Sequence, residues 1–216
     1  MIHQAERERV LEGARRTVAE GLTHGTSGNV SERAGDGMVI TPTGLDYGIC
    51  EAADIVAVTL EGVPRPGERR APSTEWRMHA AIYLARPEVN AVVHGHAPAA
   101  TALACLGRAI PPFHYMVAVA GGDSVRCASY APFGSEQLAR YAVDALADRR
   151  ACLLAHHGFL SIGTTLAQAL IVGVEVEYLA DLYLRLLALG EPPRLSNAEM
   201  REVIGRFEHY GQPGAR

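Results

Sequence analysis

His94-Gly95-His96 and His156-His157-Gly158 are the residues of this chain best suited to chemistry. The first motif ends the apolar run Ala91-Val92-Val93, and the second follows Ala151-Cys152-Leu153-Leu154-Ala155. Each run has the length and composition of a buried strand. Residues i and i+2 of a strand share a face, so His94 and His96 can aim two imidazoles at one point. In the adjacent pair only one ring can join them. Three nitrogen donors with a fourth position open make a catalytic metal site rather than a closed structural one. The alternative is a set of core histidines, each of which still needs buried hydrogen-bond partners. Ala97 to Thr101 supplies no carboxylate just downstream, no Asp-His follows the HxH, and HExxH is absent.

The nearest useful carboxylate lies upstream, in Pro72-Ser73-Thr74-Glu75-Trp76. Glu75 read alone could simply complement a helix dipole. The same segment places the hydroxyls of Ser73 and Thr74 at a helix start, where free N–H groups suit a phosphate. Gly25-Thr26-Ser27-Gly28-Asn29 and Thr41-Pro42-Thr43-Gly44 add hydroxyl or amide side chains beside glycines that admit an anion closely. Neither has Walker spacing or its lysine. As isolated loops they are ordinary turns; together with a metal site they suggest a small phosphorylated substrate.

These residues must be positioned by alternating strands and helices. A helix is expected from about Ala5 to Glu20, with Leu11, Ala14, Val18 and Leu22 on one stripe. Strands follow near 29–32, 38–41 and 55–59, then a helix from about Thr74 to before Pro87. After the strand at 91–95 come helices near 98–106 and 135–148, and strands at 151–155 and 159–162. Capping-box patterns at Thr165–Gln168 and Ser196–Glu199 open the last two helices. Such an order indicates one α/β domain over 1–216, a central mixed β-sheet in three layers with helices on both faces.

The 216 residues, 48% hydrophobic and 20% charged, can bury a sizeable core. A net charge of −4 without a basic stripe argues against nucleic acid. Cys50, Cys105, Cys127 and Cys152 form no CxxC and read as buried reduced thiols. The longest apolar region, 166–189, is interrupted by Glu175, Glu177, Asp181 and Arg185, so no membrane span is expected. With no apolar signal core near the N-terminus, a cytoplasmic location is expected.

The motifs from Gly25 to Ser31, Ile40 to Gly44, Ser73 to Trp76, Val92 to His96 and His156 to Gly158, in this order, resemble the class II aldolase/adducin family. The resemblance extends over nearly the whole chain, through Pro112-Phe113-His114-Tyr115-Met116 and Phe207-Glu208-His209-Tyr210-Gly211. It is greatest to the bacterial members that act on L-fuculose 1-phosphate. It implies zinc held by His94, His96 and His157, with Glu75 able to ligate the empty site, and His156 facing away. It places phosphate against Gly28, Asn29, Thr43, Gly44, Ser73 and Thr74. It also implies a homotetramer with active sites between subunits, where Tyr115 and Tyr210 come from the neighbour and Phe133 borders the site.

The reaction so implied is reversible cleavage of L-fuculose 1-phosphate, or a similar deoxy-ketose 1-phosphate, to dihydroxyacetone phosphate and L-lactaldehyde or a similar short aldehyde. Zinc would serve as a Lewis acid, so no lysine Schiff base is needed. Glu75 would be the base at carbon, its strength expected to rise on enclosure. Tyr115 is the candidate for proton transfer at the C4 oxygen, with interface packing as its other reading. Arg126, in Val125 to Tyr130, is a departure from the fuculose pattern near the expected aldehyde end. An L-ribulose-5-phosphate 4-epimerase, a methylthioribulose-1-phosphate dehydratase and a non-enzymatic adducin-like assembly module share the fold. The epimerases usually carry a Thr-His-Ala-Asp-type stretch where this chain has Ala118 to Asp123.

Overall fold

β-Strands and helices alternate much as the hydrophobic periodicity requires. In a computed structural model that describes residues 2–207, seven strands form one sheet in the order β3-β2-β1-β4-β7-β6-β5. They are β1 (Asn29–Ala34), β2 (Gly37–Ile40), β3 (Val56–Thr59), β4 (Ala91–Gly95), β5 (Arg126–Ala128), β6 (Ala151–Leu154) and β7 (Gly158–Gly163). Only the β5–β6 pair is parallel; every other neighbour is antiparallel. The sheet is therefore mixed, as expected.

Helices cover both faces. Those described are α1 (Gln4–Ala19), α2 (Trp76–Ala85), α3 (Pro98–Cys105), α4 (Glu136–Ala145), α5 (Leu166–Leu187) and α6 (Asn197–Phe207). On one face, Met78, Ile82 and Tyr83 of α2 and Leu138 and Ala142 of α4 pack on Val92, Leu154 and Leu160. On the other, α1 and the start of α5 pack on Ala91 and Val93, while α3 and the rest of α5 pack on Leu153 and Phe159. β4 is thus buried on both sides, which is why it reads as an uninterrupted apolar run.

Some expectations needed correction. Val18 is 45% exposed and lies off the buried stripe that Val10, Leu11 and Ala14 form. The helix expected from Thr74 begins at Trp76. A 3-10 helix at Tyr115–Ala120 and the three-residue β5 carry too few residues to announce themselves by periodicity. All four cysteines are free; Cys50 and Cys152 are buried, but Cys105 is exposed. Ser196 and Glu199 form the reciprocal capping box, whereas Gln168 reaches the N–H of Thr164 instead of that of Thr165. No helix among the described residues is long and apolar enough to cross a membrane.

Candidate metal centre and cleft

Two glycines bring the strand ends together. β4 lies between β1 and β7, with His94 opposite Asn29 on one side and Leu160 on the other. A Cβ on Gly95 would sit 2.3 Å from the Leu22 carbonyl oxygen, and one on Gly158 would sit 2.3 Å from that of Gly95. Both motif glycines are therefore fixed by close backbone approach. The β6–β7 hairpin turns through residues 155–157, closed by the His157 N–H donating to the Leu154 carbonyl at 3.0 Å. His156 takes the left-handed conformation within that turn, with φ of 56°. This sends the two adjacent histidines apart: His157 joins His94 and His96, whereas His156 is exposed and meets the Tyr130 ring edge-on.

The three rings lie with centroids 4.7–5.0 Å apart. Nε2 of His94 is 3.1 Å from Nε2 of His96 and 3.2 Å from Glu75 Oε2, and Glu75 Oε1 is 3.5 Å from Nε2 of His157. Tetrahedral ligands about 2.0–2.1 Å from a zinc ion would stand about 3.3 Å from one another. The spacing fits. Nδ1 of His94 donates to the Phe159 carbonyl at 2.8 Å, which turns Nε2 toward the cluster, where it can ligate once its proton is given up. Glu75 Oε1 is buried with no hydrogen-bond partner among the described residues, an orphan that a cation would satisfy. The donor set therefore fits a divalent ion on nitrogen, with the carboxylate beside it.

Burial, then the charge of His94, lowers His96 and His157 to about 4, so both rings are neutral and able to ligate at neutral pH. For Glu75, burial pushes the pKa upward, but His94, His157 and the Asn29 amide together outweigh it and hold the carboxyl well below its usual range. The expected rise in basicity on enclosure is thus reversed in the resting site. Nor does Glu75 serve as a helix cap: it precedes α2 without a side-chain capping bond. Its Oε2 instead accepts from Asn29 Nδ2 at 2.9 Å.

A cleft of about 370 Å³ opens beside this cluster. Gly28, Asn29, Thr43, Gly44, Ser73, Thr74, Glu75, Phe133, His96 and His157 all line it. Thr26, Ser27 and Pro42 of the two glycine loops line it too, as do Tyr130, Ala131 and His156, the last turned from the histidine cluster but still on the cleft wall. The Glu75 N–H donates to Ser73 Oγ at 3.2 Å, leaving the hydroxyl proton of Ser73 to be given elsewhere. No Arg among the described residues lines the cleft, and the sequence contains no lysine. Arg126 is accounted for otherwise: its guanidinium binds the Ala145 and Ala147 carbonyls at the end of α4. Tyr115 is 51% exposed and lines a separate apolar hollow with Met116, Val203 and Phe207. The structure does not bring it to the cleft of its own chain. Tyr210 lies outside the described residues.

Known proteins resemble this chain over most of its length. Residues 8–184 match the family model for the class II aldolase and adducin N-terminal domain. The chain is 50% identical over 207 residues to a 5-methylthioribulose-1-phosphate/5-deoxyribulose-1-phosphate aldolase of Rhodospirillum rubrum, covering 96% of this chain and 93% of that one. It is 47% identical over 192 residues to an L-fuculose phosphate aldolase of Escherichia coli, 88% of each chain. Among solved structures, an L-fuculose 1-phosphate aldolase superposes with a TM-score of 0.92 at 38% identity, covering 96% of this chain and 98% of the other. The chain belongs to the class II aldolase/adducin family. Within it, this is an enzyme of the aldolase type, a carbon–carbon lyase.

Proposed function

We propose that this enzyme reversibly cleaves a terminally deoxygenated ketose 1-phosphate between C3 and C4, releasing dihydroxyacetone phosphate and a short aldehyde. The observation that carries this reading is the cluster of His94, His96 and His157 beside Glu75, opening onto a cleft walled by hydroxyls and glycines. These histidines would hold zinc, as borderline-soft nitrogen donors suit it. When bound, the ion would act as a Lewis acid for the negative charge that develops as the bond breaks. A Schiff-base route is closed to a chain without lysine.

The chain's own groups divide the remaining work. Ser73, Thr74, Thr43 and Gly44 offer hydroxyls and N–H groups to the phosphate, with Gly28 letting backbone come close. Glu75 takes the proton from the carbon beside the carbonyl in the condensation direction. The partner subunit's Tyr115 would exchange the proton at the C4 oxygen, which requires the homotetramer expected for such sites. Phe133, 71% exposed, and the buried Ala131 add apolar surface to the cleft wall, suited to an aldehyde whose tail lacks a hydroxyl. A phosphorylated sugar and free thiols suit a cytoplasmic setting.

Among such sugars 5-deoxyribulose 1-phosphate and its methylthio analogue come first, supported by the relative that is 50% identical over 96% of this chain. L-fuculose 1-phosphate, giving L-lactaldehyde, is the second reading, supported by the TM-score of 0.92. Incubating the zinc-loaded enzyme with these ketose phosphates and with L-ribulose 5-phosphate, and assaying dihydroxyacetone phosphate, tests both. Release from a deoxy-ketose 1-phosphate is expected. Isomerised pentose phosphate or a dehydrated product without triose would contradict the reading.

A further inference from the structure

Behind Glu75 and Asn29 runs a buried polar chain whose other members, His79, Ser31 and Tyr83, have no part in the expected chemistry. Glu75, His79 and Tyr83 are spaced four apart, at the start and along one face of α2. Asn29 and Ser31 are two apart, on one face of β1. Four helical residues rise about 6 Å and two strand residues about 6.6 Å, so the two rows interleave like teeth. The order in space is Glu75, Asn29, His79, Ser31, Tyr83. Asn29 Nδ2 lies 2.9 Å from Glu75 Oε2, His79 Nε2 2.5 Å from Asn29 Oδ1, Ser31 Oγ 2.6 Å from His79 Nδ1, and Tyr83 OH 2.8 Å from Ser31 Oγ. All five side chains are buried, and His79 and Ser31 are wholly so.

The carboxylate at one end dictates the direction of every bond. An ionised Glu75 only accepts, so Asn29 turns its amide N–H toward it and its carbonyl oxygen toward His79. His79 must then carry its proton on Nε2 and accept at Nδ1 from the Ser31 hydroxyl. Ser31 in turn accepts from the Tyr83 hydroxyl. Each donor is used once, and the aligned dipoles reinforce one another in a site closed to water. One consequence falls on Glu75: Oε2 is held, while Oε1 has no hydrogen-bond partner among the described residues.

Resting on the aldolase reading, we propose that His79 is a positioning residue. Through Asn29 it locks Glu75 Oε2 and so presents Oε1 as the oxygen that takes the carbon-bound proton. The two carboxylate oxygens thereby have different tasks, and the partial reaction at dihydroxyacetone phosphate alone isolates the one in question. Exchange of that proton into D2O requires the base but no aldehyde.

The test compares zinc-loaded wild type, His79→Phe, His79→Gln and Ser31→Ala by NMR detection of dihydroxyacetone phosphate exchange, alongside bound zinc. His79→Phe should retain zinc and KM within about twofold while kcat for exchange falls roughly tenfold to hundredfold, the usual cost of a misplaced group. His79→Gln, which restores an N–H donor, should recover most of that loss. Wild-type exchange in His79→Phe, or no recovery in His79→Gln, overturns the proposal. If His79→Phe does not fold, Ser31→Ala decides, since an unchanged exchange rate there refutes a directed chain. Imidazole 15N shifts give a readout independent of turnover. A proton on Nδ1 of His79 in the wild type overturns the proposal; a proton on Nε2 supports it. Wild-type protein that exchanges nothing would sink the aldolase reading instead, and the 15N shifts would still decide the chain.

Discussion

Glu75 is held as an anion by neighbours that also fix its place beside the histidine cluster, where the proposed mechanism needs a base. The histidine cluster lowers its resting pKa, so its service as a base depends on the substrate's own acidity being raised. Replacing Glu75 by Gln keeps the shape and removes the base. Turnover is expected to fall about 10²–10⁴-fold with zinc still bound, measured by steady-state kinetics and metal analysis. Near wild-type turnover would show that another group takes the proton. The sequence made Glu75 and the three histidines visible because metal ligation demands particular residue types. It did not reveal the anchoring of Asn29, whose amide was assigned to phosphate yet is shared between Glu75 and His79.

At the level of elements, α2 against β1 and the β4–β7 strand ends form the frame of the site. His79 was legible in principle as the residue one turn after Glu75, but only the strand-to-helix register shows that Ser31 and Asn29 fall between the helix residues. Its burial has a thermodynamic sign. Burial first, then the positive His94, lowers His79 from the ordinary 6.5 to about 3. Between those values the unfolded chain binds a proton that the folded one refuses. Stability from this group is complete above pH 6.5 and is lost as pH falls toward 3, on the order of 5 kcal/mol in all. Urea midpoints of metal-free protein between pH 7 and 4.5 should fall less steeply for His79→Gln than for wild type; equal slopes would refute the assignment. The hairpin makes a second demand. A Cβ at position 158 meets the Gly95 carbonyl and His96 Cδ2 at 2.3 and 2.8 Å, so Gly158→Ala should cost about 1–3 kcal/mol and weaken zinc binding. Denaturant midpoints and zinc titration check both effects, and wild-type values in each would contradict the close approach.

Over the whole molecule, the three-layer order was legible because buried strands and amphipathic helices announce themselves by period. The segment 112–130 was not, since its short 3-10 helix and three-residue strand are set by tertiary contacts. Tyr115 on that helix is turned away from its own chain's cleft, which suits a residue given to a neighbour. Mixing Tyr115→Phe and Glu75→Gln chains after dissociation should regenerate activity, up to about one quarter of wild type if each site draws on two subunits of a ring. Activity no greater than the sum of the two inactive parents would contradict a shared site.

The most direct measurement is zinc content against turnover as a chelator strips the enzyme and the ion is returned. One ion per chain is expected, with triose release vanishing as it leaves and recovering in proportion as it comes back, and with His94→Ala unable to recover. Full turnover by protein shown to be free of metal would contradict the assignment of His94, His96 and His157 to a catalytic ion.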